Sequence, residues 1–169
     1  MAPTTLVRRP SAGTHLPPSG QPRRFIAADS WSAERPEALV ICCSDGRWHG
    51  QIEEFVRSQV SQRADLMALP GGPAMLNRWT SSVEEARVAE QALAFLCKHH
   101  ELSSAWLIAH QDCAYYAAKY GPLDGAYQLR RQMEDLEKGA EILRRLQPNL
   151  AIHLVFSARE GDTVVFTSR

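Results

Sequence analysis

Short apolar runs alternate with longer amphipathic stretches along most of the chain. The runs are residues 38–42, 64–69 and 105–109. Runs of this length with little polar alternation are typical of parallel strands covered on both faces. Between and after them, apolar residues recur at helical spacing within 50–57, 82–100 and 125–148. Strands that alternate with helices predict an α/β fold, a three-layer sandwich around a mostly parallel β-sheet.

The carboxyl-terminal part carries a different pattern. Two apolar runs, 151–156 and 163–166, flank the turn signal Glu160-Gly161-Asp162. Two strand-like runs joined by a short Gly-containing turn are typical of a hairpin. We therefore expect the sheet to end in a pair of strands at one edge.

The first 36 residues differ in composition from the rest. They are rich in Pro, Ser, Thr and Arg, and no acidic residue precedes Asp29. Such a composition is typical of a segment without a packed core, so residues 1–36 are expected to form a flexible arm. Residues 37–169 are expected to form the folded domain. An Arg-rich, acid-poor segment also suits an organelle transit peptide, whereas a secretory signal would need an apolar core.

The net charge and the cysteine content indicate which kinds of binding partner and which cellular compartment to expect. The formal net charge is zero, which argues against nucleic acid or an anionic membrane as the main partner. No apolar run approaches the roughly 18 residues of a membrane span. Four cysteines are few for a disulfide framework and suit metal binding in a reducing compartment. We expect a soluble, cytoplasmic protein.

Two short cysteine motifs follow two of the predicted strands. Cys43 opens the string Cys-Ser-Asp-Gly-Arg after run 38–42, and His110-Gln-Asp-Cys113 follows run 105–109. Ligands of open α/β sheets bind at the carboxyl ends of the strands, so adjacent strands would bring the motifs together. Thiolate and imidazole are preferred zinc ligands, and three of them leave a fourth position open for chemistry. The sequence therefore predicts a Zn²⁺ site formed by Cys43, His110 and Cys113.

Further candidate residues flank this predicted site. A guanidinium can hold a carboxylate in one orientation, so Arg47 would orient Asp45 to accept a hydrogen bond from metal-bound water. The alternative is that Asp45 caps the following segment and that Arg47 is merely solvated. Gly71 and Gly72 end the run 64–69 and permit a close backbone approach to a ligand. We expect these glycines to contact substrate.

Cys43-x-Asp45-x-Arg47 followed by His110-x-x-Cys113 resembles the signature of the β-class carbonic anhydrase family. The similarity in the order of elements extends from about residue 37 to the carboxyl end. The resemblance implies a β-carbonic anhydrase-like fold and a homodimer or higher homo-oligomer. It also implies a zinc lyase with Asp45 and Arg47 as the catalytic dyad, in which a zinc-bound hydroxide reversibly hydrates carbon dioxide to bicarbonate.

The chain departs from the family pattern near the predicted pocket. Many members carry an Arg-Asn-Ala-Gly type segment where this chain has Leu69–Ala74, and Ala114 replaces a Gly that commonly follows the second cysteine. Two alternatives therefore stay open. The same site would hydrolyse carbonyl sulfide or carbon disulfide, or Asp45 would fill the fourth zinc position and make the protein non-catalytic.

Overall fold

The computed structural model describes residues 26–60, 63–121 and 124–168. Residues 34–169 form one unit, and the arm predicted for residues 1–36 lies mostly outside the described residues. The strands of this unit are β1 Ala38–Cys43, β2 Asp65–Leu69, β3 Ser104–His110, β4 Ala151–Glu160 and β5 Thr163–Ser168. The helices are α1 Gly46–Gln59, a 3₁₀ helix Gly72–Leu76, α2 Val83–His99, α3 Ala114–Tyr120 and α4 Gly125–Leu146.

The strands form one sheet in the order β2-β1-β3-β4-β5. The first four strands run parallel, and β5 pairs with β4 in the antiparallel direction. This order confirms the mostly parallel sheet and its edge hairpin. It also places β1 beside β3, with Ile41 opposite Leu107, so the residues that follow these strands meet at one edge.

Helices cover both faces of the sheet, which confirms the three-layer sandwich. Alternate strand residues point to opposite faces, so Leu39 and Ile41 join the core beneath α2 and α4. Val40 and Cys42 pack on the other face, beneath Trp48 of α1. The apolar stripe of α4 lies in the core, where Leu136, Ala140 and Leu143 are fully buried. No helix among the described residues combines the length and apolar character of a membrane span.

Side-chain caps fix where the helices begin. Ser82 and Glu85 form a reciprocal capping box at the start of α2, which agrees with the predicted start. Helix α1 begins at Gly46, earlier than the predicted residue 50, because the Asp45 carboxylate accepts the Arg47 backbone N–H. The pattern did not predict α3, whose seven residues are too few for a clear period.

Candidate metal centre

The structure brings together the three residues expected to hold a metal. Cys43 ends β1, His110 ends β3, and Cys113 is the N-cap of α3. Their ligand atoms all lie within 4.8 Å of one another, and the two sulfurs are 3.8 Å apart. All three side chains are buried. Adjacent parallel strands therefore create a group of two thiols and one imidazole that could hold a metal ion.

The His110 ring is oriented by its neighbours. Its Nδ1 lies 2.7 Å from the Gln111 carbonyl oxygen, which can only accept, so Nδ1 carries the proton. Its Nε2 is buried and has no hydrogen-bond partner among the described residues. The Trp48 ring packs against the imidazole with a centroid distance of 4.8 Å. A buried, unpartnered ring nitrogen on a histidine grouped with two thiols is typical of a metal-binding histidine, so the donor set fits Zn²⁺.

The two thiols affect each other's ionisation. A hydrogen bond from the Cys113 thiol lowers the pKa of Cys43 far below its usual range, and the same contact raises the pKa of Cys113. Two thiolates at this separation would repel each other strongly. A divalent cation removes that conflict because it favours both thiolates at once. By contrast, burial raises the pKa of Cys42 to about 12, and Cys42 lies in the α1 layer.

Asp45 and Arg47 form a close ion pair beside the cluster. Arg47 Nε lies 3.0 and 3.1 Å from the two Asp45 oxygens, and Arg47 Nη2 lies 2.5 Å from Oδ2. The Arg47 hydrogen bonds lower the pKa of Asp45 to about 2. Asp45 also caps α1, since its Oδ1 accepts the Arg47 backbone N–H at 3.1 Å, but Arg47 is paired with the carboxylate rather than merely solvated. Capping and pairing thus fix one orientation of the carboxylate.

Cys43, Asp45 and Arg47 line one cleft of about 610 Å³. Its other walls include Gly71 and Tyr115. The cleft therefore places one predicted metal ligand and the ion pair within reach of the same small molecule.

The two predicted substrate glycines make close contacts within the protein. Gly71 and Gly72 have φ values of +71° and +55°. A Cβ on Gly71 would lie 2.5 Å from Tyr115, and a Cβ on Gly72 would lie 2.7 Å from the Cys42 carbonyl carbon. The close approach at Gly72 is thus to the end of β1. Contact of either glycine with substrate stays a prediction.

Gly72→Ala is expected to destabilise the fold by roughly 2–4 kcal/mol, from left-handed strain and overpacking against rigid backbone. Gly161→Ala is the matched control, because Gly161 also has a positive φ of 61° and a Cβ there meets nothing within 4 Å. The control should lose only about 1 kcal/mol. Urea unfolding of both variants gives the comparison, and equal losses would contradict the proposed close contact.

Sequence reasoning missed the contacts by which Arg159 holds the loop between His110 and Cys113. The Arg159 backbone N–H donates to Gln111 Oε1 at 2.9 Å, and the Arg159 guanidinium lies 3.4 Å from Asp112 Oδ2. Asp112 has a φ of +55°, a conformation that Asp tolerates better than most side chains. Asp112, which lies between two predicted ligands, was the one sequence feature that could have indicated these contacts. No pattern near Arg159 in the sequence indicates its role.

Several solved structures are similar to this fold at low identity. A β-carbonic anhydrase of Trichomonas vaginalis is 12% identical, with 81% of this chain and 86% of that chain covered and a TM-score of 0.49. The β-carbonic anhydrase CafA of Aspergillus fumigatus is 16% identical, with coverages of 79% and 76% and a TM-score of 0.45. An apo carbon disulfide hydrolase is 19% identical, with coverages of 73% and 74% and a TM-score of 0.42.

No protein of curated function matches the sequence. A family model described as "Putative carbonic anhydrase" matches residues 33–165. The matched segment includes the cysteine cluster, the Asp45–Arg47 pair, strands β1 to β4 and the first half of β5. Because the match spans most of the 169 residues, the chain belongs to this carbonic anhydrase family.

Proposed function

We propose that the chain is a zinc-dependent carbonic anhydrase that reversibly hydrates carbon dioxide to bicarbonate. One observation carries the proposal: a ring nitrogen of His110 lies within 4.8 Å of the Cys43 and Cys113 sulfurs, and the buried Nε2 of that ring lacks a hydrogen-bond partner among the described residues. Membership of the family supports the same reaction. The substrate is then a small molecule, and no nucleic acid or membrane is required.

Cys43 Sγ, His110 Nε2 and Cys113 Sγ would hold the zinc ion. When bound, zinc supplies Lewis acidity that brings the pKa of a water molecule toward about 7, which makes hydroxide available at neutral pH. The Gln111 carbonyl keeps the proton on Nδ1, so Nε2 stays free to bind.

Asp45 would orient the attacking hydroxide. With a pKa of about 2, the carboxylate is ionised throughout the neutral range and can only accept hydrogen bonds. The carboxylate has about four acceptor positions. Three Arg47 hydrogens, on the backbone nitrogen, Nε and Nη2, bond to it, so about one position stays available for the O–H of the attacking hydroxide. Accepting that hydrogen would turn a lone pair of the hydroxide oxygen toward the carbon of the substrate. Arg47 prevents the carboxylate from rotating.

The walls of the cleft suit a small uncharged substrate. Apolar atoms reach the cleft from four residues that line it together with Cys43, namely Pro70, Gly71, Ala114 and Tyr115. An apolar wall accepts carbon dioxide without the desolvation cost that an ion would incur. Gly71 is the more direct substrate contact in this proposal, because Gly72 packs against the end of β1.

The alternative of a site closed by Asp45 has less support. The group of possible metal ligands comprises Cys43, His110 and Cys113, and the Asp45 carboxylate is not among these close-set atoms. Asp45 is instead paired with Arg47. This arrangement supports an open fourth position.

Stopped-flow hydration of carbon dioxide at pH 7 and pH 8.5 tests the proposal, using protein with an assayed zinc content. We expect turnover that rises at the higher pH, is lost after chelation and returns with added zinc. Carbon disulfide and carbonyl sulfide serve as parallel substrates. Fully zinc-loaded protein that leaves carbon dioxide unreacted at both pH values would contradict the proposal, and sulfide release would favour the sulfur substrates.

We further propose that the chain forms a homodimer or higher homo-oligomer in the cytoplasm. Large apolar side chains are exposed at Trp79 and on α2 at Val88 and Phe95, with exposed fractions of 81%, 61% and 59%. Val88 and Phe95 are seven residues apart and so lie on one face of α2. Large apolar side chains exposed in this way favour burial against another copy. Light scattering of the purified chain checks the assembly, and a concentration-independent monomer would contradict it.

A further inference from the structure

A fully buried carboxylate on α4 gathers hydrogen bonds from three side chains outside its helix. Asp135 Oδ1 accepts from Asn77 Nδ2 at 2.7 Å and from Thr80 Oγ1 at 2.8 Å. Asp135 Oδ2 accepts from the Tyr116 hydroxyl at 2.5 Å. We call Asn77, Thr80, Tyr116 and Asp135 the Asp135 cluster. It joins α4 to α3 and to the loop that follows the 3₁₀ helix.

The Asp135 cluster is connected directly to the Cys113 side of the metal centre. Tyr116 lies in the first turn of α3, for which Cys113 is the N-cap. A second connection comes from α4, the helix that carries Asp135. Gln128 Nε2 donates a hydrogen bond to the Cys113 carbonyl at 3.0 Å. Helix α4 therefore holds both the backbone at Cys113 and the helical turn that starts there.

The cluster is also connected to the Cys43 side. Asn77 is the C-cap of the 3₁₀ helix, and its backbone N–H bonds to the Ala74 carbonyl. Ala74 packs with Cys43, Cys113 and Tyr116 in one small buried group. At the other end of this helix, Gly72 presses on the Cys42–Cys43 peptide. The segment anchored by Asn77 and Thr80 thus contacts the end of β1.

Stability alone does not account for a buried carboxylate at this point. Burial raises the pKa of Asp135, and the three donors only partly offset that effect. Replacing a buried charged group and its partners with well-packed apolar residues is often neutral or stabilising. A fully hydrogen-bonded polar group instead favours one arrangement of the segments around it. The segments here are those that hold the two sulfurs.

We propose that the Asp135 cluster and Gln128 set the separation of the Cys43 and Cys113 sulfurs, and are positioning residues of the metal centre. The inference rests on the proposed zinc site and assigns a role to α4, which contributes no ligand. Outer contacts of this kind control metal affinity because they fix ligand orientation before the metal binds.

Two variants of the full-length chain test the inference through metal binding. Tyr116→Phe removes one hydroxyl with little change of shape, and Gln128→Leu removes the donor to the Cys113 carbonyl. Each should weaken Zn²⁺ binding by roughly 10- to 100-fold in a chelator competition assay. Each should also shift the absorption bands of the Co²⁺-substituted protein, because the thiolate geometry changes. Circular dichroism of the metal-free variants checks that they fold.

Ile142→Val is the matched control, because Ile142 is a buried α4 residue in the main core and outside the Asp135 cluster. It should lose stability while keeping the parent Zn²⁺ affinity and Co²⁺ spectrum. Folded Tyr116→Phe and Gln128→Leu variants with the parent affinity and spectrum would overturn the inference while leaving the proposed function standing. A parent chain that binds no Zn²⁺ would overturn both.

Discussion

Replacing Cys43 with serine is expected to abolish zinc binding and the stability that zinc provides. Cys43 supplies one of two thiolates, and its sulfur lies 3.8 Å from that of Cys113. Zinc at about 1,000 times its Kd stabilises a folded protein by about 4 kcal/mol, which for a chain of this size is roughly 10 °C in Tm. The variant should show neither the bound zinc nor the rise of Tm on zinc addition.

Cys42→Ala provides the matched control for this loss. Cys42 is the adjacent residue on β1, is equally buried, and packs beneath Trp48 on the opposite face of the sheet. Its removal leaves a small cavity and lowers the Tm, but the increment that zinc adds should persist. Metal analysis and thermal scans with and without zinc measure both effects. A Cys43→Ser chain that retains zinc would rule Cys43 out as a ligand.

Replacing Asp45 with asparagine is expected to lower carbon dioxide hydration by roughly 100-fold or more while zinc content stays unchanged. The Asp45 carboxylate accepts hydrogen bonds from Arg47 through both oxygens, whereas an asparagine offers one oxygen and a donor group. The donor would face the guanidinium and turn the side chain away from its present orientation. The ligands themselves are unaltered, so the loss should appear in kcat.

Capping must be separated from chemistry in this experiment, because Asp45 is also the N-cap of α1. Asparagine is as good an N-cap as aspartate, so Asp45→Asn should keep most of the stability. Asp124→Ala is the control for a lost cap, since Asp124 caps α4 through the Tyr127 N–H. It should destabilise the chain by about 1 kcal/mol and leave turnover of the folded protein unchanged. Full activity in Asp45→Asn would remove Asp45 from the mechanism.

Elements with a clear period could be predicted from the sequence because burial dictates their pattern. The run 105–109 became β3, and the 82–100 stripe became α2 with Ser82 as its cap. The prediction that the two cysteine motifs meet required β1 and β3 to be neighbouring strands. In the structure they are neighbours, and Ile41 lies opposite Leu107. Long periodic segments and strand ends were therefore the predictable part.

Contacts between distant segments could not be predicted, because no local pattern encodes them. One hydrogen-bond donor to Asp135 is Tyr116 on a short helix, and the donor to the Gln111 side chain is the backbone N–H of Arg159 on β4. The packing of Trp48 on His110 likewise depends on how α1 crosses the sheet. These contacts orient the candidate ligands. The motifs therefore predicted which residues would bind the metal, but not which distant residues hold those ligands in place.

X-ray absorption at the zinc edge tests the central claim most directly, on the full-length chain loaded with one equivalent of zinc. The account predicts two sulfur neighbours at about 2.3 Å and lighter nitrogen or oxygen neighbours at about 2.0–2.1 Å. The same spectrum of Cys42→Ala should be unchanged, because Cys42 packs beneath Trp48 on the other face of the sheet. A parent spectrum with only oxygen and nitrogen neighbours would contradict a zinc centre built from Cys43, His110 and Cys113.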